Sequence, residues 1–287
     1  MRRLVADLWD LSCIAVPLVA IVGVPGAVVA AAMGSWSVAV ALAVLAVGAV
    51  VAIALPRRRR PAPVAATGAR IVAANLWNKN PVMAQAARDL VALQPDVLIV
   101  SELGQAAHEV LVEAFAHHEV LSIGGPRGHG VYATVPLERL PDLPLIGPVL
   151  PVRVHAADPF RLFASHTPRG TILPHDADGT AVVQRCRHEM FRLAELAEAE
   201  PDTVVAGDLN LVDRQPGYRR LVRGRIDAMR TVRARGTFHG HVVWIALFMR
   251  IDHLVVPADW SVADARVVRI SGSDHRAITA VVRPGAS

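Results

Sequence analysis

Cysteine is scarce in this chain of 287 residues, which contains only Cys13 and Cys186. Two cysteines argue against a disulfide framework, and no Cys/His tetrad of the kind that binds structural zinc is present. Cys13 lies in an apolar stretch and Cys186 in a predicted helix. The scarcity of cysteine therefore assigns neither a disulfide scaffold nor a redox compartment.

Two common catalytic motifs are also absent. The sequence has no glycine-rich phosphate loop ending in lysine, because Lys79 is its sole lysine and follows no such loop. It also has no serine in a nucleophile elbow. These absences argue against phosphate binding by a glycine-rich loop and against acyl transfer.

Charged side chains are missing from residues 11–56, a run of 46 residues. This run is long enough for two membrane helices, predicted at about 12–32 and 36–55, since a hydrocarbon core of ~30 Å needs about 20 residues per span. Pro17 and Pro25 fall in the first span, where membrane helices tolerate proline. A cleaved signal peptide and a buried soluble hairpin are the alternatives.

Arginines flank both ends of this apolar run, at Arg2 and Arg3 and again at residues 57–60. Positive flanks favour the cytoplasmic side, so the sequence predicts a multi-pass hairpin anchor with the rest of the chain in the cytoplasm. A span count that is wrong by one would place that domain outside.

The net charge of +5 is distributed unevenly along the chain. Residues 1–60 hold six arginines and two aspartates, so +4 lies there and about +1 on the remaining residues. Nucleic-acid binders usually carry a domain-wide basic excess. Nucleic acid is therefore an allowed partner that the charge does not require, and no protein partner is evident.

A membrane anchor over residues 1–60 and a Pro/Ala linker over 61–69 are predicted to precede a catalytic domain at 70–287. In this last part, buried-type strands alternate with amphipathic helices, and consecutive strands follow in the middle and at the end. Strands are predicted at 70–76, 96–102, 130–135, 149–155, 161–166, 203–208, 251–257, about 261–270 and 277–283, and helices at 82–93, 105–118, 180–199 and 216–223. This order favours two mixed sheets with outer helices.

Polar residues stand where several of these apolar runs end or begin. Ligands of open α/β sheets bind at the carboxyl (C-terminal) ends of the strands, so these side chains are candidates for one site. They are Asn75, Glu102, His166, Asp208, Asn210, Asp252, His253, Asp274 and His275.

The residue types at these positions agree with one chemistry. Carboxylates and amides are hard oxygen ligands that suit Mg²⁺, with Mn²⁺ as an alternative. Histidines paired with carboxylates suit acid-base work or contact with a phosphate oxygen. Hydrolysis of a phosphate ester fits this set of residues.

Six motifs in order, AANLW, VSELG, ASHTP, AGDLNL, RIDHLVV and GSDHRAI, resemble the endonuclease/exonuclease/phosphatase superfamily over about residues 69–283. The resemblance is to a membrane-anchored, bacterial-type member. It implies an α/β fold, namely a four-layer α/β/β/α sandwich of two mixed sheets, here preceded by two transmembrane helices.

The resemblance also implies a role for each motif position. Glu102 would be the principal Mg²⁺ ligand, with Asn75 and Asp274 near the same metal. Asp208 would orient or deprotonate the attacking water, and Asn210 would hold a phosphate oxygen. His275, oriented by Asp252, would contact the phosphate and act in acid-base chemistry; His166 would also contact the phosphate, and His253 would be structural.

The sequence departs from DNA-cutting relatives after His166, where the loop is short. Arg169 is the single candidate phosphate-facing cation there, and a solvated loop arginine is the alternative interpretation of this residue. Residues 237–250 are unusually apolar and are interpreted as a core strand or as a surface that meets a membrane or lipid tail. The expected function is a membrane-tethered, Mg²⁺-dependent phosphoesterase that acts on a lipid-linked or small phosphate. A nuclease and a catalytically inactive membrane scaffold are the alternatives.

Overall fold

The computed structural model describes residues 2–54, 67–168, 179–232, 236–240 and 249–285. The chain begins with two long apolar helices, α1 (Arg2–Ala32) and α2 (Trp36–Ala54), which contact each other. A tight turn joins them at Gly34, whose φ of 78° suits glycine. Close packing of the pair needs a small residue at Gly23, because an added Cβ would lie 2.9 Å from Ala46.

One stretch among the described residues, Ala15–Ala32 in α1, is long and apolar enough to cross a membrane. The apolar part of α2, Trp36–Ala52, is shorter. The described residues therefore contain one candidate membrane span, near the N-terminus, whereas the sequence predicts two. A two-span anchor and its orientation stay predictions.

The first sheet has six strands, and its order is β11-β12-β1-β2-β4-β3. These strands are β1 (Ala69–Asn75), β2 (Val97–Ser101), β3 (His117–Ser122), β4 (His129–Ala133), β11 (Ser261–Arg269) and β12 (Arg276–Arg283). β1 and β2 are parallel, while β12 runs antiparallel to β1 and β4 antiparallel to β2. The sheet is therefore mixed, as expected.

The second sheet also has six strands, and its order is β5-β6-β7-β8-β10-β9. They are β5 (Leu137–Arg139), β6 (Val149–Val154), β7 (Phe160–His166), β8 (Thr203–Asp208), β9 (Arg225–Asp227) and β10 (Asp252–Pro257). β7 and β8 are parallel, and β10 is antiparallel to β8. A short 3-10 helix, Ala228–Arg230, follows β9.

Four helices cover the outer faces of the two sheets: α3 (Met83–Val91), α4 (Gln105–Ala114), α5 (Gly179–Ala199) and α6 (Pro216–Leu221). Strand residues alternate between the two faces, so Ile71 and Ala73 enter the core between the sheets while Val72 and Ala74 pack against α3 and α4. Val205 likewise faces α5 and α6. Because both faces of each central strand are buried, these strands read as continuous apolar runs. The predicted four-layer α/β/β/α sandwich is confirmed.

Three strands were not predicted from the sequence: β3, β5 and β9. β5 and β9 are three residues long, and β3 is a half-exposed edge strand that lacks an apolar run. The helix predicted at 105–118 ends at Ala114, and β3 begins three residues later. Residues 241–248, most of the apolar 237–250 segment, lie outside the described part of the chain.

Gly207 occupies a position in β8 that other residues cannot take. Its φ is 134°, and a Cβ there would overlap the carbonyl oxygen of Ser165 on the neighbouring strand β7. Side chains avoid this backbone region, and the contact leaves no room for one. Gly207 therefore lets β7 and β8 approach immediately before Asp208.

Gly207→Ala should lower the unfolding free energy of the full-length chain by about 3 kcal/mol or more, because it combines overpacking with an unfavourable φ. Gly224→Ala is the matched control, since Gly224 also has a positive φ of 68°, but an added Cβ there would meet no atom within 4 Å. That control should cost only about 1 kcal/mol. Equal losses in denaturant unfolding would contradict the steric account.

Candidate active site

Strand register brings the predicted polar residues to one edge of the sandwich. Asn75 is opposite Ser101 in the parallel β1–β2 pair, and His166 is opposite Asp208 in the parallel β7–β8 pair. Asp252, the first residue of β10, also pairs with Asp208. β12 begins directly after His275 and runs antiparallel to β1, so His275 reaches the same edge.

Asn75 links two carboxylates across the two sheets. Its side-chain nitrogen donates to Glu102 Oε1 and to Asp208 Oδ2, both at 3.0 Å. Its side-chain oxygen accepts from the backbone N–H of Trp77 at 2.8 Å. The amide therefore presents nitrogen, not oxygen, to the carboxylates, and in this arrangement Asn75 holds Glu102 near Asp208.

Three residues of this edge have left-handed backbone: Trp77, Glu102 and Asn210, with φ of 61°, 54° and 49°. Such conformations cost about 1–3 kcal/mol for residues other than glycine and persist where the surroundings fix them. The Asn78 N–H fixes Glu102 by donating to its Oε2 at 2.8 Å. Two hydrogen bonds fix Asn210. Its backbone N–H donates to Asp208 Oδ1 at 2.9 Å, and its side-chain Nδ2 donates to the Thr167 carbonyl at 2.9 Å.

His275 and Asp252 form a buried pair next to Asp208. The Nδ1 atom of His275 lies 2.9 Å from Asp252 Oδ2, and its Nε2 lies 3.8 Å from Asp208 Oδ2. Burial alone would lower the pKa of His275, but the Asp252 and Asp208 carboxylates raise it to about 9. Burial opposes ionisation of Asp208, yet His275, His166 and two hydrogen bonds hold its pKa below the usual value.

His166 approaches Asp208 from the other side, with Nε2 at 3.7 Å from Oδ2. Behind it lies His129, a fully buried residue that sequence reasoning missed. The Nε2 of His129 donates to the Ala164 carbonyl at 3.0 Å, so a residue of β4 in the first sheet contacts β7 in the second. Burial and the nearby His166 lower the pKa of His129 to about 4, so its ring is neutral.

A second cluster of acids and histidine, formed by Asp213, Asp227 and His253, lies beside the site and is organised by Arg250. The Arg250 guanidinium donates to both carboxylates, including Asp227 Oδ2 at 2.6 Å. Because the buried Arg250 guanidinium already pairs with both carboxylates, we interpret this cluster as an ion-pair network and not as a metal site. His253 donates toward the Leu211 carbonyl at 2.8 Å, which agrees with the structural role expected for it.

A cleft of about 660 Å³ opens beside these residues, with Glu102, His166 and Asn210 on its wall. Three cations also line it, Lys79, Arg127 and Arg185, which the sequence did not single out. They come from three separate segments, so no local pattern marks them. Among the described lining residues, Glu102 is the one carboxylate. Arg169, the predicted phosphate-facing cation, lies outside the described residues.

Residues 72–275 match the family described as "Endonuclease/Exonuclease/phosphatase family". The chain belongs to this family. An endonuclease/exonuclease/phosphatase from Beutenbergia cavernae DSM 12333 has a similar structure, with 19% identity and a TM-score of 0.59 over 77% of this chain and 72% of that one. No curated protein matches the chain by sequence.

Two further solved structures share the fold of this family member. A 3'-5' exonuclease from Neisseria meningitidis has 19% identity and a TM-score of 0.57, covering 74% of this chain and 98% of that chain. An AP endonuclease from Archaeoglobus fulgidus has 15% identity and a TM-score of 0.57, with coverages of 74% and 98%. At these identities the likeness establishes the fold alone.

Membership in the family makes the chain a metal-dependent phosphoric ester hydrolase. The residues present fit a divalent metal, because Glu102 and Asp208 bring two carboxylates to one amide and Asp252 has a buried Oδ1 without a hydrogen-bond partner among the described residues. Hard oxygen donors of this kind suit Mg²⁺ or Mn²⁺.

The His275 imidazole should stay protonated in the metal-free protein until the pH approaches about 9. Its raised pKa stabilises the folded state fully below the unfolded pKa of about 6.5, and this contribution is lost as the pH rises through about 9. NMR titration of ring resonances in EDTA tests this. Asp252→Asn should lower the pH at the midpoint of the His275 titration. His155→Gln, which changes an exposed surface pair, is the control and should leave that midpoint unchanged. A His275 midpoint near pH 6.5 in the parent protein would contradict the assignment.

Proposed function

We propose that the chain is a membrane-tethered, Mg²⁺-dependent phosphoesterase that hydrolyses a phosphate ester by in-line attack of an activated water. The observation that carries this proposal is the continuous buried array from Glu102 through Asn75 and Asp208 to His275 and Asp252. A scaffold that only binds has no need to bury so many ionisable groups beside a cleft.

Glu102 is the principal metal ligand in this proposal, with Asn75 and Asp274 near the same ion. Glu102 lines the cleft, and its Oε2 is oriented by the Asn78 N–H. Asp274 directly precedes His275 and adds to the negative field that raises the pKa of His275. A bound Mg²⁺ supplies charge neutralisation at the phosphate oxygens.

Asp208 orients or deprotonates the attacking water. A water-activating carboxylate must be ionised, and the two histidines and two hydrogen bonds around Asp208 favour that state. The loop after β8 brings Asn210 to the cleft wall, where it holds a phosphate oxygen.

His275 and His166 contact the phosphate in this mechanism. Asp252 fixes the ring of His275 through Nδ1, which leaves Nε2 directed toward Asp208 and the reacting phosphate. A protonated His275 stabilises the negative charge that develops as the ester bond breaks and donates a proton to the leaving oxygen. His166 lines the cleft and supplies a second imidazole from β7.

Asp208→Asn should lower kcat by about 10²-fold or more, since general acid-base groups contribute about 10²–10⁴-fold. EDTA should abolish turnover of the parent enzyme, and added Mg²⁺ should restore it. Asp142→Asn is the control, because Asp142 is 73% exposed and pairs with Arg139 away from the cleft. Retention of near-normal kcat in Asp208→Asn, with unfolding unchanged, would remove Asp208 from this role.

The proposed substrate is a lipid-linked or small phosphate. Support comes from the near-neutral charge of residues 61–287 and from the apolar helix α1, which provides one candidate membrane span. Three basic residues of this part of the chain, Lys79, Arg127 and Arg185, line the cleft together with Glu102. A phosphate ester with a second anionic group would meet these cations.

A nuclease is the second candidate function. The structural neighbours include a D. rerio TDP2 complexed with a single-strand DNA product, with 18% identity and a TM-score of 0.57 over 75% of this chain and 98% of that one. The three cleft cations would equally suit a nucleic-acid backbone.

Replacing Lys79, Arg127 and Arg185 by alanine should raise KM at least about 10-fold with little change in kcat, because these cations act on binding. Substrates for the assay are plasmid DNA, phospholipid phosphates and a generic phosphodiester. Arg192→Ala is the control, since Arg192 pairs with Glu195 and does not line the cleft. DNA cutting that falls steeply with salt would favour the nuclease, and hydrolysis of lipid phosphates alone would favour the first function.

A further inference from the structure

Helix α1 extends beyond the stretch that can cross a membrane. It begins at Arg2, whereas the candidate span begins at Ala15. The preceding 13 residues correspond to about 20 Å of helix at 1.5 Å per residue. They carry two arginines and two aspartates, which the span lacks. We call this first part of α1, residues 2–14, the leading segment.

The leading segment contacts the catalytic domain at Cys13. Cys13 is 4% exposed, its thiol donates to the Arg214 carbonyl at 3.4 Å, and the Arg214 Nε donates to the Cys13 carbonyl at 3.0 Å. α1 also contacts α5 of the catalytic domain. A buried guanidinium that bonds a helix carbonyl fixes the two backbones relative to each other, because a buried charged donor left unpaired is costly.

The apolar contacts of Cys13 lie directly behind catalytic residues. Cys13 packs with Val212 and Ile251, and Phe238 and Met249 border this cluster. Val212 follows Asn210 by two positions, and Ile251 precedes Asp252. Ile251 also accepts a hydrogen bond from the Leu209 N–H at 2.9 Å, which ties the two motif segments together.

Phe238 extends this contact to the catalytic histidine. Its ring centroid lies 5.0 Å from that of His275 in an edge-on arrangement. Isolated antiparallel β-bridges also pair Phe238 with Met249 and with His275. The leading segment is therefore joined to the catalytic edge through one layer of packed side chains.

We propose that the leading segment clamps the catalytic edge at the bilayer surface, so that the enzyme takes its phosphate ester from the lipid headgroup layer. Cys13 lies at the N-terminal end of the charge-free run that begins at residue 11, two positions before the apolar stretch Ala15–Ala32. This end of the run is where α1 would enter the hydrocarbon from the headgroup layer, which extends about 5–8 Å beyond the hydrocarbon on each side. This inference rests on the proposed function, on α1 as a membrane span and on α2 (Trp36–Ala54) returning the chain to the side of Cys13, as in the two-span prediction.

The first test measures the interface without using activity. The variant is the full-length protein with Cys186→Ala and Val212→Cys. It is placed in phosphatidylcholine/phosphatidylglycerol vesicles and treated with a mild oxidant or a short bismaleimide. Cys13 should link to the new cysteine, as detected by mass spectrometry of the joined peptides. Val82→Cys, at a 45% exposed site before α3, is the control and should not link. Absence of the Cys13 link would overturn the interface.

The second test measures what the interface does. Cys13→Asp places a charge in the apolar contact, and Arg214→Gln removes the guanidinium that bonds the Cys13 carbonyl. Each variant should lower turnover of phospholipid in vesicles, relative to turnover of bis(p-nitrophenyl) phosphate in solution, by at least 10-fold. Val22→Ala, at a 65% exposed position of the same helix, should leave that ratio unchanged.

The outcomes separate the two proposals. An unchanged ratio in both interface variants, or a parent enzyme that hydrolyses only the soluble diester, would overturn the clamp and leave the phosphoesterase standing. If the parent enzyme shows no metal-dependent turnover of either substrate, the proposed function is overturned and, with it, the headgroup substrate. A selective loss on vesicles supports the clamp, and Arg214→Gln keeps the test usable where Cys13→Asp fails to fold.

Discussion

The ionised carboxylate of Asp208, buried to 2% exposure, is the constraint on which the catalytic edge depends. An isolated buried carboxylate would take up a proton, because losing water costs several kcal/mol. Here the charge is offset on every side: Asn75 and Asn210 donate to it, and His166 and His275 stand within 4 Å. Each of these groups comes from a different strand end, so the charge can be kept only when both sheets are assembled in register.

The backbone around Asp208 is adapted to the same requirement. Gly207 allows β7 to approach β8, and the left-handed turns at Glu102 and Asn210 direct their side chains back toward the strand ends. Side-chain hydrogen bonds offset the cost of these conformations. Arg250, which directly precedes Ile251 and β10, pairs with Asp213 and so holds the segment after Asn210 near β10. Unfavourable backbone thus concentrates where residues must converge, while the strands themselves stay regular.

The sequence predicted the central strands and the residues at their ends because each apolar run stops at a polar residue, as at Asn75 and Asp208. The residue pattern cannot reveal contacts between distant segments. His129 is one of twelve histidines in the sequence and is recognised only because its ring meets Ala164 across the sheets. Lys79, Arg127 and Arg185 share a cleft but no local motif. β3 was missed because an edge strand with one exposed face lacks a continuous apolar run. The two apolar helices have similar sequences, yet within the described residues α1 alone provides an apolar stretch long enough to be a candidate span.

The net charge of residues 61–287 does not describe the cleft, because the electrostatic field there is set by side chains within a few ångströms. Residues 61–287 are nearly neutral, but the cleft collects three cations around one carboxylate. At physiological ionic strength charges beyond about 8 Å are screened in solvent, so these cations act on a group in the cleft and do not attract a long polyanion from a distance. A substrate presented at a surface needs no such long-range attraction, since the surface already holds it. Three local cations on a nearly neutral domain therefore give no domain-wide attraction for a free duplex, and the membrane-held phosphate ester that we propose as substrate does not need one.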